Sequence, residues 1–304
     1  ILFTGLAVMI KVTLQEKTPT PFHFKSTARA HGWVMLRPFD WNENAIQLSR
    51  LHQLRSGQVV RLGMSEQTGA IQIEVEAAQP LTPAEEAEIR QAVRRMLRLD
   101  EDLSEFHAFC TELDGWQLRL EPGGGRLLRC ATLFEDIVYT LCTTNINWSG
   151  TIRMVARLVT ALGRPLPGDS DSLAFPSPAD IAATTPEFLK LETGLGYRSP
   201  YVWELAVAVA EDRLDLAGFE DPDKPTKEVL AELNRLKGVG PYAAATILMI
   251  LGRYEHLAID SEMRSFVSKK YFGGEPVTHG QIQNIYAPWG RWQYLAYWFD
   301  MPPE

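Results

Sequence analysis

Residues 236–251 read LKGVGPYAAATILMIL, and residues 258–264 read AIDSEMR. The segment from Pro225 to Leu236 carries apolar side chains at helical spacing, and the run from Ala243 to Leu251 is apolar enough for a buried helix. Between them lies a Gly-x-Gly turn at 238–240, whose glycines present no side chain to a close neighbour. The pattern predicts a helix-hairpin-helix.

The second helix of this hairpin begins directly after the glycine turn. Its first N–H groups have no intrahelical partner and lie at the positive end of the helix dipole, which favours an anion such as a nucleic-acid phosphate. A tight turn between two core helices would give the same pattern. Asp260 favours a functional site, because a carboxylate that directly follows Leu257, Ala258 and Ile259 is costly unless it is paired or has a role.

These residues resemble the helix-hairpin-helix DNA glycosylases, which excise damaged bases. The hairpin, its Gly/Pro-rich loop and the later Asp260 are similar to the signature of that family. Two upstream segments resemble the 8-oxoguanine glycosylase branch: CTTNIN at 142–147 with MVARL at 154–158, and GLGYRSPYV at 194–202. The three matches occur in order along the chain.

The resemblance implies a role for each matched residue. Asp260 is the expected catalytic carboxylate. Asn145 is expected to fill the gap left by the extruded nucleotide, although a helix-capping asparagine is the alternative. Tyr197 is expected to wedge into the base stack, and Arg198 to lie opposite the lesion. The remaining expected DNA contacts are Lys237, Gly238, Val239, Gly240 and Arg264.

Two positions depart from the oxidised-guanine branch. Bifunctional members carry a nucleophilic lysine two residues after the second hairpin glycine, where this chain has Tyr242. Without that amine no Schiff base forms with the sugar, so strand cleavage by a lyase step is not expected. An aromatic residue here resembles the alkylpurine glycosylases. Glu262 stands where the oxidised-guanine branch usually has histidine.

Aromatic residues crowd the segment 286–299, and most of them are expected in the core. Trp148 and Trp289, with Tyr242, are the candidates to stack on the extruded base. The resemblance also implies that carbonyls of Asn234, Leu236 and Val239 hold a monovalent cation, Na⁺ or K⁺. No cofactor is expected for catalysis, and the iron–sulfur branch is excluded because the only cysteines are Cys110, Cys130 and Cys142.

The sequence predicts an α+β protein. Residues 57–64 and 70–76 alternate in polarity around a turn at 66–69, which predicts a hairpin, and Thr82 to Glu85 is a capping box that opens a helix. We expect an N-terminal domain at 1–122 with an antiparallel sheet and a helix, and a mostly helical glycosylase region at 123–304. Within the latter, a helix is expected from Arg126 to Asn145 and a loop from Gly163 to Pro178.

Composition limits the possible functions. The net charge is −8 and the pI about 5.4, which argues against a general nucleic-acid binder but permits a local basic face. Three scattered cysteines without a CxxC motif suggest a reducing compartment. The apolar run from Ile1 to Ile10, interpreted as a tag, a wrongly set start or the first strand, is too short to span a bilayer.

The resulting expectation is a monofunctional DNA glycosylase of base excision repair that flips out and hydrolyses alkylated bases of the 3-methyladenine type. The alternatives are an oxidised-guanine or deaminated-base glycosylase, and a non-catalytic lesion-binding module. The expected partner is double-stranded DNA with a damaged base. A monomer without membrane contact is expected, in the bacterial nucleoid and cytoplasm or in a nucleus.

Overall fold

The computed structural model describes residues 9–113, 116 and 120–301, so most of the Ile1 to Ile10 run lies outside it. The chain forms two compact units, each built from two segments. Unit 1 comprises Ile1–Asp100 and Arg126–Asp215, and unit 2 comprises Glu101–Gly125 and Leu216–Glu304. The domain boundary expected after residue 122 therefore lies inside the first segment of unit 2.

Unit 1 begins with a five-stranded antiparallel sheet in the order β1-β5-β4-β3-β2. Its strands are β1 (Ile10–Lys17), β2 (Phe39–Asn42), β3 (Gln47–Gln53), β4 (Val59–Gln67) and β5 (Ala70–Ala77). The predicted hairpin is β4–β5, in which Met64 pairs with Ile73 and Leu62 with Val75, all four buried. The strict alternation of apolar residues fixes this register, since a slip of one residue would expose all of them.

The helices of unit 1 are α1 (Phe24–Ala28), α2 (Pro83–Leu97), α4 (Leu133–Thr143), α5 (Trp148–Leu162), α6 (Pro178–Ala182), α7 (Pro186–Phe188) and α8 (Ser199–Ala210). Shorter turns are the 3-10 helices Gly32–Met35 and Gly196–Arg198 and the π-helix Leu189–Thr193. The predicted capping box of α2 is present, with Thr82 and Glu85 exchanging backbone and side-chain hydrogen bonds. An α+β class is thus confirmed.

The helix expected from Arg126 begins only at Leu133. Thr132 caps it by accepting the N–H of Glu135. The preceding residues 126–132 have no regular secondary structure, and the N–H of Arg129 donates to the carbonyl of Met96 at the end of α2 over 2.9 Å. Their apolar side chains are buried although these residues are not helical. In the sequence, the same apolar residues therefore looked like the first turns of a buried helix.

Helix α4 is buried along its length and carries two acidic residues into the interior. Glu135 accepts from Arg50 of β3 over 2.9 Å. Asp136 accepts from Trp33 over 3.0 Å and from Arg95 of α2 over 2.8 Å. These bonds connect the helix to the sheet and to α2, and they satisfy charges that would otherwise destabilise the core.

The expected loop from Gly163 to Pro178 contains a small hairpin, β6 (Pro165–Leu166) and β7 (Asp169–Leu173). Leu166 and Ala174 pack with Leu51 and Val59 of the sheet. The prediction of a loop was therefore wrong for these two strands. Strands this short, which are stabilised by packing on a sheet, leave too few residues for an alternating pattern in the sequence.

Unit 2 is helical in the part that the structure describes. Its helices are α3 (Ser104–Glu112), α9 (Ala217–Glu220), α10 (Thr226–Leu233), α11 (Pro241–Ile250), α12 (Ser261–Tyr271), α13 (His279–Tyr286) and α14 (Gln293–Asp300), with a kinked 3-10 segment at Ala287–Trp292. Phe106, Trp289, Trp292 and Phe299 form much of the core. Across residues 9–113, 116 and 120–301, no helix is long and apolar enough to cross a membrane.

Candidate active site and nucleic-acid interface

The glycine turn of unit 2 joins α10 to α11. The N–H of Leu236 donates to the carbonyl of Leu233 over 3.0 Å, and the N–H of Val239 donates to that of Leu236 over 3.1 Å. Gly238 has a φ of 82°, in the left-handed region that favours glycine. Val239 is buried and anchors the turn, whereas Lys237, Gly238 and Gly240 are exposed. The helix-hairpin-helix expected from the sequence is present.

Helix α11 begins at the exposed end of this turn. Gly240 is its N-cap, and the space around a Cβ added there is open. Pro241 occupies the first helical position, where its missing N–H costs nothing. From Ala243 to Ile250 every residue of the helix is buried. A solvent-facing helix N-terminus without an obstructing side chain can accept a phosphate.

Asp260 is the N-cap of α12 and is partly exposed. Its Oδ1 accepts the N–H of Met263 over 2.8 Å. The neighbouring Ala258 and Met263 are buried, so the carboxylate lies at the edge of the core. The bond to Met263 fixes the direction of the side chain, and the helix dipole favours its negative charge.

Two buried tyrosines of unit 2, Tyr294 and Tyr297, lie within electrostatic reach of Asp260, and Tyr242 lies near both of them. Burial raises the pKa of Tyr294 well above its usual range, and Tyr242 and Asp260 raise it further. Burial, followed by the charges of Tyr294 and Asp260, also raises the pKa of Tyr297. The rings of Tyr294 and Tyr297 stack with centroids 6.0 Å apart. The hydroxyls of both tyrosines therefore stay protonated beside this carboxylate charge.

Unit 1 carries a second group of expected site residues after α4. Asn145 is exposed and has a φ of 49°, a left-handed conformation that asparagine tolerates better than most residues. Its Nδ2 donates to the hydroxyl of Tyr197 over 3.1 Å. The cap of the following helix α5 is Asn147, which accepts the N–H of Gly150 over 2.9 Å. Asn145 is thus available at the surface and is not a helix cap.

Tyr197 is also exposed, with 51% of its surface accessible. Burial tends to raise the pKa of its hydroxyl, but hydrogen bonds from Thr144 and Asn145 and the charge of Arg198 bring the pKa below its ordinary value. An exposed ring whose hydroxyl is fixed by neighbours is suited to contact a base or sugar.

Arg198 is a buried residue of unit 1. It is only 5% exposed, and its guanidinium donates to the carbonyls of Leu141 and Thr144. It also donates to the hydroxyl of Thr144 over 3.2 Å. The contact opposite the lesion stays a prediction, and in this structure the side chain is held by backbone acceptors within unit 1.

Solved structures with the same architecture include a 3-methyladenine DNA-glycosylase from Archaeoglobus fulgidus, with a TM-score of 0.74 at 20% identity, covering 94% of this chain and 97% of that one. An 8-oxoguanine glycosylase/lyase from Clostridium acetobutylicum in its apo form has a TM-score of 0.66 at 16% identity, covering 95% and 98%. The same enzyme with double-stranded DNA containing cytosine opposite 8-oxoguanine gives 0.63 at 16% identity, covering 91% of both chains. No family model matches the sequence.

This chain has the fold of the helix-hairpin-helix DNA glycosylases.

Within this glycosylase fold, the expected stacking role of Trp289 is wrong. Its side chain has no exposed surface. Its ring is surrounded by those of Phe106, Phe109 and Trp116, with centroids 5.7, 6.3 and 5.3 Å away. A ring so enclosed has no face left for a base, and in sequence it cannot be distinguished from the exposed aromatics of the same segment.

Trp148, the other tryptophan candidate, is partly exposed at the start of α5. Its indole lies over Gly32, where an added Cβ would come within 2.4 Å of the ring. Its Nε1 donates to the sulfur of Met35 over 3.5 Å, and Met35 is 51% exposed. Base stacking by Trp148 stays a prediction. The contact between Trp148 and Met35 spans more than a hundred residues and leaves no local signal in the sequence.

The other expected residues of the glycosylase fold stay predictions with defined positions. Tyr242 is partly buried near the start of α11 and, with Tyr294 and Tyr297, makes up the tyrosine group. Arg264 lies on α12 and donates to the carbonyl of Val277 over 3.3 Å. Asp260 itself had a clear sequence signal, whereas the sequence could not select Tyr294 and Tyr297 from the crowded aromatics around them.

The carbonyls expected to hold a monovalent cation lie in the hairpin turn. That of Leu236 accepts the N–H of Val239, which leaves one of its two lone pairs for another ligand. Asn234 ends α10 and Val239 precedes the cap of α11. A donor set of neutral carbonyl oxygens suits Na⁺ or K⁺ and does not suit a transition metal.

Proposed function

We propose that this protein is a monofunctional DNA glycosylase that hydrolyses the N-glycosidic bond of a damaged base, with alkylated purines of the 3-methyladenine type as its substrates. The observation that carries the proposal is Asp260, whose carboxylate is fixed at the N-terminus of α12 and lies within electrostatic reach of Tyr294 and Tyr297. Tyr242 occupies the position at which bifunctional relatives carry a lysine. The protein would then act in base excision repair.

The reaction begins with extrusion of the damaged nucleotide, because the glycosidic bond is shielded inside the duplex. Extrusion costs a few kcal/mol and costs least at a damaged pair. In unit 1, Asn145 and Tyr197 are exposed and hydrogen-bonded to each other, which suits them to occupy the space that the nucleotide leaves. In unit 2, the glycine turn and Lys237 are exposed and suited to hold phosphate.

Asp260 supplies the chemistry. As the glycosidic bond lengthens, positive charge develops on the sugar, and a carboxylate whose direction is already fixed stabilises it without reorganisation. The same carboxylate can orient a water molecule towards C1′ and accept its proton. No amine takes part, so the product is an abasic site in an intact strand.

The partly exposed ring of Tyr242 favours a cationic base. An electron-rich ring face attracts a positively charged alkylpurine, and Tyr242 is the accessible member of the tyrosine group, since Tyr294 and Tyr297 are only 3% and 4% exposed. Such a base is already a good leaving group, so the site needs no strong general acid. A neutral oxidised guanine would require one.

A monovalent cation at the hairpin would add to the phosphate contact. Carbonyls of Asn234, Leu236 and Val239 would hold it, and it would neutralise charge between the turn and one phosphate. Replacing K⁺ and Na⁺ by a bulky organic cation at constant ionic strength is expected to weaken DNA binding. Unchanged affinity would exclude a bound cation.

The proposal is tested with a panel of otherwise identical duplexes, each holding a single lesion. Release of free base from 3-methyladenine or 7-methylguanine duplexes, with the strand left intact, is the expected result. The second candidate function is removal of oxidised or deaminated bases, which is favoured by the resemblance of the Asn145 and Tyr197 segments to the oxidised-guanine branch. Release only from 8-oxoguanine or uracil duplexes would support it, and tight binding without any release would indicate a non-catalytic lesion-binding module.

A further inference from the structure

Arg198 forms the centre of a hydrogen-bonded cluster in unit 1. Its Nε donates to the carbonyl of Leu141 over 3.1 Å and to the hydroxyl of Thr144 over 3.2 Å. Its Nη2 donates to the carbonyl of Thr144, and Nη1 to that of Leu195 over 3.4 Å. These carbonyls belong to the last turn of α4 and to the junction before α8. A cation is favourable at a helix C-terminus, where carbonyls lack intrahelical donors.

The same cluster holds the two exposed side chains that follow it. The ring of Tyr197 covers the guanidinium, with the carbon of that group 4.5 Å from the ring centroid. The hydroxyl of Tyr197 lies 3.2 Å from that of Thr144 and 3.3 Å from the Thr144 carbonyl. Asn145 donates to the same hydroxyl over 3.1 Å. Tyr197 is thus oriented by Arg198 and by Thr144, which Arg198 binds, and Asn145 is oriented by its bond to Tyr197.

We propose that Arg198 is a positioning residue that assembles Thr144, Asn145 and Tyr197 into one rigid unit before DNA binds. This inference rests on the proposed function and assigns Arg198 a role in extrusion without contact to the opposite base. Side chains that are ordered in advance lose less conformational entropy on binding. The left-handed backbone of Asn145 is then maintained in the free protein by the bonds on either side of it.

The first experiment separates positioning from base reading. Duplexes carry one lesion, a fluorescent base analogue beside it that reports unstacking, and each of the four bases opposite in turn. Arg198→Lys keeps the positive charge, but a lysine ammonium group can replace only some of the hydrogen-bond donors of the guanidinium group. If Arg198 positions the loop, the extrusion signal falls by a similar factor with all four opposite bases. A loss confined to one opposite base would overturn the proposal.

The second experiment does not depend on replacing a buried arginine. Tyr197→Phe removes only the hydroxyl, and Tyr197 and Asn145 are both exposed, so neither Tyr197→Phe nor Asn145→Ala threatens the fold. Each variant is expected to reduce extrusion about five- to tenfold, the worth of one hydrogen-bonded contact. For one cooperating unit, the double variant loses no more than the worse single variant. If the extrusion loss of the double variant equals the product of the two single losses, the two side chains act independently and the proposal is overturned.

Arg164→Ala is the matched control, since Arg164 is an exposed arginine of unit 1 that pairs with Asp180. It is expected to leave the extrusion signal unchanged. The wild-type protein distinguishes the two levels of failure. If it extrudes no lesion at all, the proposed function fails; if it extrudes normally and Arg198→Lys does too, the positioning role alone fails.

Discussion

At the residue scale, Asp260 has an observed structural role as a helix cap and a proposed chemical role in base release. Its Oδ1 accepts the N–H of Met263, as an N-cap must. The same bond fixes the carboxylate beside the tyrosine group, where a developing cation would be stabilised. The apolar residues before Asp260 indicated its importance in the sequence, but not that it caps a helix.

Asp260→Asn is expected to reduce the rate of base release by about a hundred- to a thousandfold, the range for loss of one fixed electrostatic group. Because asparagine is an equally good N-cap, the melting temperature should not change. Single-turnover base release and DNA affinity measure the effect, with affinity expected to be retained. Asp260→Ala, which removes the cap as well, is the control and should cost about 1 kcal/mol of stability. Lost DNA binding in a folded Asp260→Asn protein would contradict a catalytic role.

A second residue-scale prediction concerns Tyr242. Borohydride reduction during turnover is expected to trap no covalent protein–DNA adduct, because a phenol cannot form a Schiff base with the sugar. The readout is a shift of labelled duplex on a denaturing gel, with a bifunctional glycosylase/lyase as the positive control. A trapped adduct would show that an amine elsewhere in the protein acts as the nucleophile.

At the element scale, α4 is held in unit 1 by buried ionic bonds. Arg50 and Glu135 have side chains only 1% and 2% exposed, and Tyr139 donates to Glu135 over 3.0 Å. Sequence patterns predicted the hairpin β4–β5 and the cap of α2, since those depend on neighbours along the chain. They misplaced the start of α4, which a contact with the end of α2 decides.

Arg50→Met is expected to destabilise the protein by about 3–5 kcal/mol, because it leaves the Glu135 charge buried without its partner. The double variant Arg50→Met with Glu135→Met removes both charges and should recover most of that loss. Urea unfolding, followed by circular dichroism, measures the free energy of unfolding of each. Equal losses in the single and double variants would show that the ion pair is not the cause.

At the scale of the whole molecule, stability is expected to depend on two buried histidines of unit 1. Burial lowers the pKa of His31 to about 4, despite its bond to the carbonyl of Leu128. Burial and the nearby Arg50 lower that of His52 to about 3. Both histidines are therefore neutral in the folded protein at pH values where the unfolded chain protonates them.

Because the folded pKa lies below the unfolded value of about 6.5, the stability that each neutral histidine contributes is complete above pH 6.5 and declines as pH falls towards 4. The loss between pH 7 and pH 5 should be about 2 kcal/mol for each histidine. Urea midpoints across this range measure it. His52→Phe is expected to flatten the profile, and a profile unchanged by His52→Phe would assign the acid sensitivity to other groups.

Local order in the sequence was enough to predict the helix-hairpin-helix, the capping box of α2 and the existence of the β4–β5 hairpin. Glycine, proline and capping residues act on their own neighbours, so their effects are visible in a short window. Long-range packing instead places Trp289 in the core, directs Arg198 to backbone carbonyls, and brings Tyr294 and Tyr297 near Asp260. Whether a side chain is buried, and which group it bonds to, depends on residues that are far apart along the chain. A short stretch of sequence therefore does not show which of several similar side chains is enclosed.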